Sequence, residues 1–257
     1  MMRGLRLLSV CYWLLSFFIR GWLMQVFIRD KIKRRHRQSR LTTITARHML
    51  KSFHIKVNLR NPERLQLLDK VNGLIVSNHV SYLDIIVLAS CYPMVFITSL
   101  EMAANPILGD ITRLGGSLFT NRKKRTTLPA EIANFTTALK EGFNVVLFAE
   151  GTSTNGASVY PFKKSLFQAA VNAEVDILPC CVRYAKLDGI PITSQPQRDI
   201  ICWYATTTFL PHFWKLLKHD VEAEVSLLEP IHHDPKLNRQ QLSELTHESI
   251  LSAFFQS

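Results

Sequence analysis

Glycine and proline are scarce, at ten and eleven of 257 residues, which excludes a fibrous or low-complexity chain. Acids are almost missing from the first sixty positions, where Asp30 stands alone against fourteen lysines and arginines. Residues 61–257 hold seventeen bases and nineteen acids. The net charge of +11 is therefore an N-terminal property rather than the all-over basic surface of a nucleic-acid-coated protein. No CxxC pair or Cys/His set with zinc spacing occurs. The five cysteines, at 11, 91, 180, 181 and 202, read as reduced packing residues of a cytosol-facing protein. The sequence has no GxxxxGK[ST], no GxGxxG after a strand, no GxSxG and no HExxH. Their absence removes P-loop, dinucleotide, nucleophile-elbow and zincin chemistry from consideration.

What is abundant is apolar: 47% of residues are hydrophobic, enough for a sizeable core. The stretch Leu7–Ile28 reads LLSVCYWLLSFFIRGWLMQVFI. Its uninterrupted part, Leu7–Ile19, is too short to span a bilayer, and extension to Ile28 takes in Arg20 and Gly21. A basic run follows, with Lys31, Lys33, Arg34, Arg35, Arg37 and Arg40. A greasy segment with a basic flank, and Trp13 and Trp22 suited to an interface, is expected on or through a membrane whose lipids include anionic ones. Nucleic acid is not an expected partner. No cleavage site of signal-peptide type precedes the basic run. The expected organisation is a membrane-associating segment at 1–40 and one α/β domain at 41–257, on the cytoplasmic side.

Beyond residue 60, apolar runs of strand length alternate with amphipathic stretches. Strands are expected at Gly73–Ser77, Pro93–Ser99, Ser117–Thr120, Asn144–Ala149, Asp176–Tyr184, Ile200–Thr208 and Val221–Leu228. Helices are expected to start over Tyr82–Ser90, and to run over Glu101–Leu114 with a break near Pro106, Leu128–Glu141, Phe162–Ala173 and Asn238–Phe255. That interleaving predicts an α/β fold, a mixed and largely parallel sheet flanked by helices, preceded by an N-terminal hydrophobic membrane helix.

Chemistry-bearing residues gather where strands end, which is where open α/β sheets bind ligands. His79 and Asp84, in Asn78-His79-Val80-Ser81-Tyr82-Leu83-Asp84, are five apart. They meet only if His79 sits in a strand-to-helix turn and Asp84 in the first helical turn. Such a pair fixes the imidazole tautomer and supports a general base, and Ser81 is placed to cap the helix. Arg122, in Gly116-Ser117-Leu118-Phe119-Thr120-Asn121-Arg122, offers a fork for an anionic oxygen group and opens the basic run to Arg125. Ala149-Glu150-Gly151-Thr152-Ser153 ends the most apolar strand, and Ile177-Leu178-Pro179-Cys180-Cys181-Val182 carries a proline within an apolar run.

These four blocks, in this order, resemble the glycerolipid acyltransferase family typified by 1-acyl-sn-glycerol-3-phosphate acyltransferase. The blocks NHVSYLD, GSLFTNR and AEGTS match its NHxSxxD, GxxFxxR and PEGTR motifs, and LPCCV is similar to its proline-containing block. The resemblance covers roughly residues 50–185. It implies acyl transfer from acyl-CoA or acyl-carrier protein to a lysolipid hydroxyl in phospholipid biosynthesis, with no metal or cofactor. It implies His79 and Asp84 as the catalytic dyad and a substrate site drawn from Arg122, Glu150, Gly151, Thr152, Ser153 and Lys163. Two positions depart from the motifs, Ala149 for proline and Ser153 for the arginine that helps bind a phosphate. Arg122, Lys163 and Lys164 are candidates to compensate. The acceptor is expected to be 1-acylglycerol-3-phosphate, with a lyso-ornithine lipid as the alternative. Two rivals stay open: a lipid ester or thioester hydrolase using the same dyad, and a catalytically silent membrane-binding protein.

Overall fold

The computed structural model describes the backbone of residues 2–70 and 72–256. Met1, Val71 and Ser257, and the side chain of Arg125 in the basic run, lie outside the described residues. The chain begins with two long helices, α1 (Met2–Phe27) and α2 (Lys31–Phe53). Asp30 caps α2 by accepting the Lys33 N–H at 3.0 Å. The basic run therefore forms the opening turns of a helix, and residue 40 falls inside it.

The sheet strands are β1 (Ile55–Arg60), β2 (Leu74–Ser77), β3 (Val95–Ser99), β4 (Leu118–Thr120), β5 (Val145–Phe148), β6 (Ile177–Leu187), β7 (Ile190–Pro191) and β8 (Val221–Leu227). Their order is β1-β8-β6-β2-β5-β3-β4, with β7 a short hairpin partner of β6. The pairs β6–β2, β2–β5, β5–β3 and β3–β4 are parallel, and β8 runs antiparallel to β6. The largely parallel sheet expected from the sequence is present. Leu74, Ile75, Val76, Val145 and Val146 are wholly buried, as a parallel sheet covered on both faces requires.

The remaining helices are α3 (Leu65–Lys70), α4 (Leu83–Cys91), α5 (Leu100–Ala103), α6 (Pro106–Leu114), α7 (Leu128–Lys140), α8 (Gln168–Ala173), α9 (Gln195–Arg198), α10 (Phe209–Leu216) and α11 (Arg239–Phe255). One apolar core joins Ile75, Cys180 and Val182 to residues of α4, α2, α1 and α10. A second joins Leu74, Val76 and Cys181 to α7, α8 and α11, and a small third one joins Phe17 of α1, Leu41 of α2 and Leu114 of α6.

Two stretches differ from expectation. Ile200–Thr208 is not a strand: it is an irregular segment leading into α10. Its apolar start comes from packing inward, with the neighbours Ile201 and Cys202 both buried, while Ala205 and Thr206 are exposed. Strand β1 is absent from the expected strands because Lys56, Asn58 and Arg60 give it a polar sequence. It is an edge strand, paired with β8 alone.

Helix α1 runs unbroken through Arg20 and Gly21 for about 39 Å. Gly21 lets α6 approach closely, since a Cβ there would lie 3.0 Å from the Leu114 Cβ. By length and composition, Gly4–Phe27 is apolar enough to cross a membrane. One side of the helix nevertheless packs on the protein, with Val10 and Phe17 buried, while Leu5, Leu8, Tyr12, Leu15, Ile19 and Trp22 form an exposed apolar stripe.

Candidate active site

Register places the sequence blocks at one edge of the sheet. Ser77 at the end of β2 lies opposite Phe148 at the end of β5, and Ser99 of β3 opposite Thr120 at the end of β4. His79, Glu150 and Arg122 each follow two residues beyond their strand, so all three lie at the carboxyl edge. Asn78 continues the β2–β6 ladder with its side chain: its amide donates to the Val182 carbonyl at 2.8 Å and accepts the Val182 N–H at 2.8 Å. That double bond to β6 fixes the backbone immediately before His79.

His79 and Asp84 meet as the spacing required, with Nδ1 2.9 Å from Oδ2. Asp84 is fully buried. Its Oδ2 also accepts the N–H groups of Val80 at 2.7 Å and Ser81 at 2.9 Å, and its Oδ1 accepts the Tyr184 hydroxyl at 2.7 Å. A buried carboxylate with four donors is a fully satisfied charge. An ionised carboxylate only accepts, so the imidazole proton sits on Nδ1 and Nε2 keeps its lone pair. The His79 ring lies against Phe148, with centroids 4.2 Å apart and planes inclined by 22°.

Ser81 does not cap α4. Its hydroxyl is buried and has no hydrogen-bond partner among the described residues. Asp84 reaches back to the turn's N–H groups instead, so one carboxylate both closes the turn and orients the imidazole.

Glu150 holds the same turn from the next strand. It accepts the His79 N–H at 2.6 Å on one oxygen and the Tyr160 N–H at 2.7 Å on the other. Burial pushes its carboxyl up to about 7, against the pull of those two N–H groups and with a small push from Asp84. Both oxygens face protein backbone. Gly151 has φ +73°, and a Cβ there would lie 2.5 Å from Lys163 Nζ, so the glycine lets the ammonium lie over the loop. Thr152 is exposed. The Ser153 hydroxyl donates to the Trp203 carbonyl at 2.5 Å, tying this loop to the segment before α10.

Arg122 stands further along the edge. Its loop is pinned by Glu131, which accepts Thr120 Oγ1 at 2.5 Å and the Asn121 N–H at 3.0 Å. The Arg122 side chain is exposed. Its strand is three positions from β2, or roughly 14 Å at the usual strand spacing. A cavity of about 430 Å³ opens on the β6 side of the turn, walled by Val80, Val182, Tyr184, Ile201, Cys202 and Phe254 among others.

The sequence reading missed Tyr184, Asn78 and Trp203 as parts of this site. Tyr184 carried a faint signal: it shares the face of β6 that carries Cys180 and Val182, where a polar tip needs a partner.

The acyltransferase family model matches residues 56–183. Lyso-ornithine lipid O-acyltransferases of Rhizobium meliloti (strain 1021) and Brucella abortus (strain 2308) are 32% and 31% identical over 192 residues each. These matches cover 71% and 72% of this chain and 65% and 71% of the two enzymes. A 1-acyl-sn-glycerol-3-phosphate acyltransferase of Neisseria gonorrhoeae is 36% identical over 130 residues, covering 50% of this chain and 51% of that one. The crystal structure of the 1-acyl-sn-glycerophosphate acyltransferase PlsC from Thermotoga maritima shares the fold, with a TM-score of 0.67 at 18% identity over 99% of this chain and 96% of that one. With three motif blocks at one edge of this fold and the fourth in β6 beside β2, the chain belongs to the glycerolipid acyltransferase family.

Proposed function

We propose that the protein transfers a fatty acyl group from a thioester donor, acyl-CoA or acyl-carrier protein, to the hydroxyl of a lysolipid at a membrane surface. The observation that carries this reading is His79 held by a fully bonded Asp84, with Nε2 left as the basic nitrogen. In the reaction the acceptor hydroxyl gives its proton to Nε2 as its oxygen bonds to the thioester carbonyl carbon. The tetrahedral adduct then expels the thiolate, which takes that proton from the imidazolium. Asp84 stays ionised throughout and stabilises the imidazolium. No acyl-enzyme is required. The Gly151 N–H is spent on the Phe148 carbonyl at 3.1 Å, which leaves the Thr152 N–H as the candidate for the oxyanion.

Ser153 favours an acceptor without a phosphomonoester. The motif arginine is absent, and the serine hydroxyl is already spent on Trp203. Relatives named lyso-ornithine lipid O-acyltransferase also align over a longer stretch than those named for glycerol phosphate. A lyso-ornithine type of acceptor is therefore the leading reading. The second reading, 1-acylglycerol-3-phosphate, is favoured by exposed Arg122 at the same edge.

Helix α1 is read as lying in the membrane interface, because its inner side is taken by the protein and only its outer stripe is free for lipid. The basic flank on α2 then faces anionic headgroups on the cytoplasmic side. Product analysis with both lysolipids and both donor types tests the reading. Release of free fatty acid with no acylated acceptor would overturn it in favour of a hydrolase.

A further inference from the structure

We propose that the outward face of α10 is a second lipid-docking surface, which acts with α1 to set the dyad's edge of the sheet against an anionic bilayer. On its inner side α10 buries His212 and Leu216. On its outer side Leu210 and Trp214, four residues apart and so on one face, are 64% and 51% exposed. Lys215 and Lys218 are exposed beside them.

The position of α10 makes this face more than a stray patch. Strand β8 begins at Val221, opposite Leu187 at the carboxyl end of β6 and seven residues past Cys180, the partner of Ser77, so the helix just before it stands on the carboxyl side of the sheet, as His79 does. Tyr82, two residues before Asp84, packs its ring on Phe209 and His212 with centroids 5.1 and 5.5 Å away. Helix α10 thus adjoins the catalytic turn on one side and solvent on the other.

Helix α1 is tied to the segment that follows α10. Buried Arg6 donates to the carbonyls of Leu217 at 3.1 Å and His219 at 3.3 Å, and pairs with Asp220 at 2.8 Å. The exposed Leu5 and Leu8 flank that arginine in the sequence, so the apolar stripe of α1 starts where α10 ends. An occupant that covers both is a lipid surface, and the two lysines fit it to anionic headgroups. This rests on the interfacial reading of α1 and adds to it a contact nearly two hundred residues away in sequence. It also explains how a lysolipid still in the membrane reaches His79.

The test uses the full chain and vesicles of phosphatidylcholine with and without phosphatidylglycerol. Leu210→Gln with Trp214→Gln should bind vesicles about tenfold more weakly while keeping the wild-type circular dichroism. Lys215→Gln with Lys218→Gln should lose the gain conferred by phosphatidylglycerol and its salt sensitivity. Brominated lipids should quench wild-type tryptophan fluorescence more than that of Trp214→Phe, a readout that survives even if the double glutamine variant folds poorly. Wild-type vesicle affinity in both double variants, or equal quenching in Trp214→Phe, would overturn the proposal. Binding is read without turnover, so an inactive protein that docks through Leu210 and Trp214 sinks the acyltransfer reading and leaves this one standing.

Discussion

The Tyr184 hydroxyl donates to Asp84 Oδ1 at 2.7 Å, across 100 residues of sequence, and both groups are buried. Burial, and then the charge of Asp84, push the phenol well above its ordinary range, so it remains a donor. Tyr184 is a positioning residue that touches Asp84. Tyr184→Phe should lower kcat about tenfold with little change in KM and destabilise the fold by about 1–3 kcal/mol, because Oδ1 is left unpaired. It should also move the acidic limb of kcat/KM to higher pH, since a carboxylate with one donor fewer favours the imidazolium more. A pH profile unchanged in shape would reduce Tyr184 to a packing residue.

His79→Ala should cost roughly 10²–10⁴ in kcat while the protein stays folded. Asp84→Asn should be at least as severe and should also destabilise the chain. The asparagine nitrogen would face either the three donors around Oδ2 or the Tyr184 hydroxyl. Turnover with urea denaturation separates the two effects, and near wild-type turnover in a folded His79→Ala protein would end the dyad mechanism.

The dyad was legible because its chemistry is local. His79 and Asp84 lie five residues apart, and a turn between a strand and a helix brings them together almost unaided. The strands before the site were legible too, since Val145–Ala149 and Leu74–Val76 are apolar throughout. What could not be read is what the fold brings from afar. Tyr184 with Asp84 and Asn78 with Val182 are joined by sheet order, and Ser153 with Trp203 by the packing of two loops, neither of which spacing encodes. The segment around Trp203 has the apolar and β-branched composition of a strand because an irregular chain that packs inward also buries such residues. Ser153 was identified as a departure from the motif, but where its hydroxyl goes depends on that same misread segment.

Glu150 should make stability pH-dependent in a definite direction. Its folded value of about 7 lies above the ordinary 4.5. The folded state therefore binds more protons than the unfolded one between those limits. The resulting stability is full below about 4.5 and is lost as pH rises through about 7, by at most about 3 kcal/mol. Urea midpoints of wild type and Glu150→Gln at pH 5 and pH 8 measure it. The wild-type advantage over the variant should shrink toward pH 8, and an equal difference at both values would show that Glu150 does not take up that proton.

Variants of Arg122 and Ser153 test the two proposed acceptors against each other. Arg122 is exposed at the carboxyl edge with its loop fixed by Glu131, so truncating it should leave the fold intact. If lysophosphatidate is bound there, Arg122→Ala removes a charged hydrogen bond worth about 1.5–3 kcal/mol and raises its KM about tenfold or more. The KM for lyso-ornithine lipid should barely change. Ser153→Arg is the reciprocal experiment, and the geometry alters what it should do. On motif grounds alone the new guanidinium supplies the missing phosphate fork and should help. In the folded protein, however, the serine hydroxyl lies 2.5 Å from the Trp203 carbonyl, and a longer side chain must turn outward and release that tie. Ser153→Arg should therefore weaken turnover of lyso-ornithine lipid by loosening the segment beside the dyad, while any gain with lysophosphatidate appears in KM rather than kcat. Ser153→Ala loses the tie without adding charge and so isolates the first effect. Full lyso-ornithine turnover in both Ser153 variants would show that the Ser153–Trp203 bond has no part in placing the acceptor.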